Sequence, residues 1–272
     1  MMKMMKLIQF AVPMFICVLT VGAYADFTET FDASGGDMNN IQPTWDVVDP
    51  DATTDPTFAL VDQGGGDYAL WISGYLGGAA GLWGHHVGVA QGFQRANNLR
   101  VTWKQWRDRN FNVSGSFPDG HPSSGSMGGF RSAPASTVGA LYNNAQYFLA
   151  IHWNTLSFCM EGQWSGDLYN PANPNAITEL NNSAHWAAAL DKANCYLFRI
   201  TMGNTSGGKF EMSEDQGATW IEPTNANKIN QGGGTASTLW LSFGPSHAMG
   251  GACFIDDVFV EGLNAVDDWN LY

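Results

Sequence analysis

The sequence predicts an all-β protein built as a two-sheet antiparallel β-sandwich. Three observations carry that expectation: short alternating apolar runs recur along the chain, glycine-rich turns separate them, and sustained helical periodicity is missing. Tyr68–Ser73 follows the turn Gln63-Gly64-Gly65-Gly66-Asp67. Leu99–Arg107 alternates Val101, Trp103 and Gln105 against Arg100, Thr102 and Lys104. Residues 147–153 set Tyr147, Leu149, Ile151 and Trp153 against Phe148, Ala150 and His152. Tyr196–Met202 and residues 239–243 and 254–260 add further strand candidates. Many short strands with such turns imply two packed sheets. The best helix candidate, 184–192 with Ser183 as its N-cap, is too short to change the class.

The first 25 residues stand apart. Two lysines, an apolar run over 7–21 and the triplet Ala23-Tyr24-Ala25 read as a secretory signal peptide, too short for a membrane span. Residues 26–272 are then expected to form a single domain. Removing the two leader lysines leaves 10 basic residues against 25 acidic ones, a net charge of −15. Such a balance excludes duplex nucleic acid as a partner, because a binder must bring cations to the phosphates. An anionic membrane surface is disfavoured for the same reason. No later apolar stretch approaches the length of a membrane span. Cys159, Cys195 and Cys253 follow the leader, and export permits disulfides. Cys159–Cys195 is the expected pair, although three thiols allow others and always leave one over. Residues 114–139 hold 16 Gly, Ser or Pro among 26, which reads as a long flexible loop.

The two ends of the domain carry the most informative motifs. Asp26-Phe27-Thr28-Glu29-Thr30-Phe31-Asp32 opens it, and Phe254-Ile255-Asp256-Asp257-Val258-Phe259-Val260-Glu261 nearly closes it. Adjacent carboxylates inside an apolar strand are costly to bury without a counter-charge, and a hard cation coordinated by oxygen supplies one. Terminal strands lying side by side would bring Glu29 near Asp256 or Asp257. With the Gly-rich turn before Tyr68–Ser73, the chain resembles secreted jelly-roll modules: carbohydrate-binding modules, cleaved adhesin domains and concanavalin-type sandwiches. Their opening reads Glu-x-Phe-Asp/Glu and their last strand Ile-Asp-Asp-Val/Ile. The resemblance implies a structural calcium ion held by Glu29, by Asp256 or Asp257, and by a group from the 62–67 turn, for which Asp67 is the candidate.

Ser213-Glu214-Asp215-Gln216-Gly217-Ala218-Thr219-Trp220 fits the Ser-x-Asp-x-Gly-x-Thr-Trp pattern. It resembles the Asp-box hairpin, in which the Asp side chain caps the turn, the Gly takes positive φ and the Trp packs beneath. Ser213, Asp215, Gly217 and Trp220 would then have structural roles. A single box builds no propeller.

Binding chemistry gathers elsewhere. Arg95, Arg100, Lys104, Arg107 and Arg109 supply half of the basic residues after the leader, interleaved with Trp103 and Trp106. One reading is a sheet face that stacks sugar rings on indole and pairs uronate or sulfate with guanidinium. Trp83 and His152 would join that carbohydrate-binding set. The competing reading pairs these cations with surplus carboxylates and buries the tryptophans. Some jelly-roll polysaccharide lyases use Arg, His and Tyr in such a groove, which makes His152, Arg107 and Tyr147 the catalytic candidates if the chain is a lyase. His85-His86 would point to opposite faces of a strand, so a shared metal needs a loop there. Glu161, Asp167, Glu211 and Glu214 are the carboxyls available for glycoside hydrolysis, but none lies in the Glu-x-Asp-x-x-Glu strand pattern. The expectation is a secreted module that binds extracellular polysaccharide through calcium-stabilised β-structure. The alternatives are a polysaccharide-degrading enzyme, a uronate lyase before a hydrolase, and a structural surface or matrix protein.

Overall fold

The alternating runs form strands. A computed structural model describes residues 25–41, 44–48, 58–73, 85–95, 98–108, 126–136, 145–152, 155–160, 163–164, 191–203, 208–221, 236–245 and 252–263. Residues 1–24 of the expected leader and 184–190 of the expected helix lie outside them. Lys192–Asn194 form a single 3-10 turn, capped by the Asp191 side chain accepting from the Asn194 amide.

Strands β1 to β15 are Ala25–Glu29, Trp45–Val48, Phe58–Asp62, Tyr68–Ser73, His86–Val89, Phe93–Gln94, Leu99–Arg107, Ser126–Arg131, Ala145–His152, Thr155–Met160, Gln163–Trp164, Tyr196–Met202, Gly208–Ser213, Thr238–Pro245 and Ala252–Gly262. One sheet has seven strands in the order β13-β12-β7-β15-β4-β3, with β1 also beside β15. The other has eight, β11-β10-β9-β8-β14-β5-β2, with β6 also beside β14. All the pairings are antiparallel. The molecule is the two-sheet β-sandwich that the alternation predicts.

Aromatic side chains from both sheets meet between the layers. Trp103 of β7 stacks on Phe198 of β12, with centroids 5.6 Å apart and planes at 29°, and meets Phe243 of β14 edge-on at 5.6 Å. Trp45 of β2 lies 5.6 Å from Phe27 of β1 and 6.3 Å from Phe243. Buried aromatics of this size dominate core energetics, so these contacts fasten one sheet to the other.

The final strand joins both chain ends. Along one edge β15 pairs first with β4, from Ala252 to Ile255, and then with β1, from Val258 to Glu261. Its register slips between Asp256 and Phe259, where Asp257 has φ 46°. The bulge marks the handover between partners and turns the two aspartates out of the regular pleat.

Part of the loop expected over 114–139 differs from expectation: Ser126–Arg131 form β8, an interior strand of the eight-stranded sheet, while 114–125 and 137–139 lie outside the described residues. Gly and Ser have poor intrinsic β propensity, which hides the strand. Here their smallness is required. A Cβ at Gly128 would collide with the Phe243 ring, and one at Gly129 with the Tyr147 carbonyl, and Gly129 itself has φ 144°.

Candidate functional site

At the meeting of the terminal strands, the aspartates are already answered by protein cations. The Lys192 ammonium stands 2.6 Å from Asp67 Oδ1 and 2.6 Å from the fully buried Asp256 Oδ2. Lys104 Nζ lies 2.6 Å from Asp257 Oδ2. Glu29 accepts from the Phe31 amide at 2.7 Å and from Trp45 Nε1 at 2.9 Å. Burial pushes the Asp256 carboxyl up to about 6, against the opposing pull of Lys192. Partial burial works against the Lys192 charge too, but hydrogen bonds to Asp256 and Asp67 outweigh it and raise its pKa. Among the described residues no group of three or more His, Cys, Asp or Glu side chains is placed to hold a metal. As arranged, two lysines and three N–H groups engage six of the eight oxygens of the donor set expected for calcium, so a divalent ion there would compete with Lys192 and Lys104.

The basic and aromatic residues of β7 divide between core and surface ion pairs. Trp103 and Trp106 are each 1% exposed, so neither can act as the expected sugar-stacking surface. Trp103 belongs to the inter-sheet core, and Trp106 stacks on Phe254 at 5.4 Å. Arg100 pairs with Glu261 at 3.2 Å and Lys104 with Asp257, so neither cation waits for an anionic sugar. Tyr147, the lyase candidate, is also a core residue. Its hydroxyl accepts from Arg95 Nη2 at 2.9 Å. Trp83 and the side chains of Arg107 and His152 lie outside the described residues, although β7 and β9 fix the backbones of the last two.

The 213–220 turn is closed by its own side chains. Asp215 Oδ1 accepts from Ser213 Oγ and from the Thr219 amide, each at 2.8 Å, and Oδ2 accepts from Thr219 Oγ1 at 2.6 Å. The Thr219 hydroxyl and amide, then Ser213, hold the exposed Asp215 carboxyl down at about 2. Gly217 has φ 90°. The Arg199 guanidinium lies 3.8 Å over the Trp220 ring and donates to Glu211 at 2.6 Å. Burial alone would raise the Glu211 carboxyl, but Arg199 and Lys209 hold it below the usual range, unlike the acid of a glycosidase. Glu161 and Asp167 fall outside the described residues. Cys195 carries a free, buried thiol beside the Gln216 amide, which corrects the expected Cys159–Cys195 disulfide.

A different set of groups gathers on the outer face of the eight-stranded sheet, the side turned away from its partner. On β14, Leu239, Leu241 and Phe243 enter the core, so alternation puts Trp240 and Ser242 outside. Trp240 is half-buried and stands directly opposite Arg131 of β8, and opposed residues of an antiparallel pair share a face. Gly92 lies beneath the indole: a Cβ there would come 3.1 Å from Trp240 Cε2. Ser242 is flanked by Gly129 on β8 and Gly88 on β5. Residues 132–136 cross this face, and Ala135 sits so close over Gly88 that an added Cβ would be 2.8 Å from its methyl. The Ala135 carbonyl bonds with His86 Nε2.

Four buried polar groups accompany Trp240 here: Arg131, Gln146, His86 and Ser242. The Arg131 nitrogens, Gln146 Oε1 and Ser242 Oγ make no hydrogen bond. Burial lowers the Arg131 pKa to about 10, which leaves the guanidinium charged at neutral pH.

Comparison with known proteins adds overall likeness without a family. No protein-family model matches the chain. No curated protein matches it in sequence. Among solved structures it is similar to Cip1, described as a cellulose-induced protein, at TM-score 0.48 and 14% identity over 88% of this chain and 98% of that one. The Ca2+-bound exoplasmic/lumenal domain of VIP36 is similar at TM-score 0.47 and 6% identity, over 88% of this chain and 90% of that domain. The carbohydrate recognition domain of Emp47p gives TM-score 0.45 and 10% identity, over 81% and 89%.

Trp240 and Arg131 escape a reading of the sequence for different reasons. The strand at 239–243 is legible, and its alternation already turns Trp240 away from Leu239 and Leu241. Nothing in the composition distinguishes that indole from those that fill the core. Arg131 closes a Gly/Ser-rich stretch whose period-2 pattern is erased at Gly128 and Gly129.

Proposed function

We propose that the chain is an exported carbohydrate-binding β-sandwich whose sugar platform is Trp240. The observation that supports this reading is a half-buried indole on the outer face of the eight-stranded sheet, seated over Gly92 and opposite Arg131. The flat apolar face of an indole suits the C–H face of a pyranose ring, while its rim and the groups beside it meet hydroxyls. A signal peptide over 1–25 delivers the domain to extracellular polysaccharide. The acidic balance of the sequence keeps it off nucleic acid. In this reading the 213–220 hairpin is an Asp-box with a structural role, and Lys192 performs the closing task expected of calcium.

Affinity electrophoresis through gels containing neutral and acidic polysaccharides tests the proposal, with released reducing ends and unsaturated-uronate absorbance followed in parallel. The expected result is retardation by at least one polysaccharide without product release, and its loss in Trp240→Ala. Absence of retardation throughout, or retardation untouched by Trp240→Ala, overturns it. Product release would make the chain an enzyme instead.

A further inference from the structure

We propose that the Arg131 guanidinium anchors an anion subsite that takes a carboxylate or sulfate group of the bound glycan. The inference rests on the Trp240 reading above and specifies its ligand as an acidic polysaccharide.

Arg131 is fully buried, and none of its three side-chain nitrogens has a hydrogen-bond partner. Removing a charge from water without a counter-charge is strongly unfavourable, so such groups are rare in native proteins. Shortage of acids does not explain it, since the chain holds 25 Asp and Glu residues. Elsewhere among the described residues the cations find partners: Arg100 has Glu261, Lys104 has Asp257, Lys192 has Asp67 and Asp256, and Arg199 and Lys209 share Glu211. Arg95, buried like Arg131, donates to Tyr147 and to the Gly203 carbonyl. Arg131 alone in this comparison keeps its whole donor fork for something else.

The surroundings select the ligand. A planar guanidinium recognises planar or tetrahedral oxyanions through paired N–H donors. Gln146, at the β8–β9 irregularity next to Arg131, holds a buried acceptor oxygen with no donor. Sulfate has no hydrogen to offer that oxygen, whereas a sugar brings a hydroxyl donor and an acid group together. Trp240 opposite Arg131 supplies the ring platform. Ser132, Ala133 and Pro134, which follow Arg131, are part-exposed like Trp240, so an acid group reaches the buried guanidinium only if this segment yields.

The test is isothermal titration of the whole protein with galacturonate, mannuronate and sulfated galactan oligosaccharides, neutral cello- and xylo-oligosaccharides of equal length, and sodium sulfate alone. The variants are Arg131→Gln, Arg131→Lys and Trp240→Ala. At least one acidic oligosaccharide should bind, more weakly as salt rises. Arg131→Gln should lose about tenfold or more of that affinity. Its melting temperature should hold or rise, because an unpaired buried charge has gone. Arg131→Lys should recover the affinity only in part. If neutral oligosaccharides bind as well as acidic ones, and Arg131→Gln matters to neither while Trp240→Ala abolishes both, the anion subsite is wrong and the glycan platform stands. Stabilisation by sulfate with no sugar bound would make Arg131 an inorganic-anion site and overturn the inference. No binding by any probe overturns both readings. Should Arg131→Gln fail to fold, the salt dependence and sulfate competition of wild-type binding decide, and salt-independent binding contradicts the proposal.

Discussion

The ammonium of Lys192 lies 2.6 Å from the carboxylate of Asp256, a side chain wholly withdrawn from solvent at the bulge where β15 exchanges β4 for β1. The second contact of Lys192, to Asp67, reaches the turn that leads into β4. One cation thus ties the closing strand to the β3–β4 hairpin. The ion pair answers the physical problem posed by adjacent aspartates in an apolar strand, which is how to bury carboxylate without losing its compensation.

Replacing Lys192 by Met is expected to destabilise the fold at neutral pH by about 2–4 kcal/mol, because it leaves Asp256 buried and unpaired. Urea unfolding measures this through the midpoint at unchanged m-value. A variant as stable as wild type would show that the pair contributes nothing.

The pH dependence has a definite sign. The folded-state pKa of Asp256 is raised to about 6, so its favourable contribution is complete below the unfolded value of 3.8 and is lost as pH rises through about 6. Wild-type stability relative to Asp256→Asn should therefore fall between about pH 4 and pH 7, by on the order of 1–3 kcal/mol. Paired unfolding curves across that window check it. A difference that is flat or rises with pH contradicts the assignment.

Chelator should leave the melting temperature unchanged, since Lys192 and Lys104 already pair with the aspartates of the terminal-strand junction. Scanning calorimetry with and without EDTA reads this directly. A fall in EDTA that added Ca2+ restores would return the divalent ion to Asp67, Asp256 and Asp257 and displace Lys192 from its role.

Trp103→Ala should cost about 3–5 kcal/mol, the usual range for emptying a buried aromatic site. Its indole spans both sheets through Phe198 and Phe243 and donates to Gln105 Oε1 at 3.1 Å. Lost stability with glycan affinity retained in the folded fraction is the expected outcome. Intact stability with affinity lost would restore Trp103 as a binding residue.

The sandwich was legible because burial imposes period 2 on strands such as Leu99–Arg107, whatever their neighbours. Pairing of β1 with β15 was legible too, from the acidic and aromatic signatures at the two ends. Which groups would neutralise those acids was not: Lys104 lies more than 150 residues before Asp257 in the chain, and Lys192 sits in a short turn with no motif. The exposure of Trp240 and the isolation of Arg131 likewise depend on which strands become neighbours, and β8 concealed itself by using glycine where Phe243 and Tyr147 leave no space. Half of the basic residues after the leader gather near β7 for a plainer reason, since those with described side chains there serve ion pairs and buried hydrogen bonds.

The tryptophan indole N–H spectrum of the labelled protein, titrated with a polysaccharide that it binds, reads the Trp240 platform itself. The Trp240 resonance, assigned by its loss in Trp240→Phe, should shift saturably while those of Trp103 and Trp106 stay in place. Saturable binding that leaves Trp240 unmoved would contradict the platform.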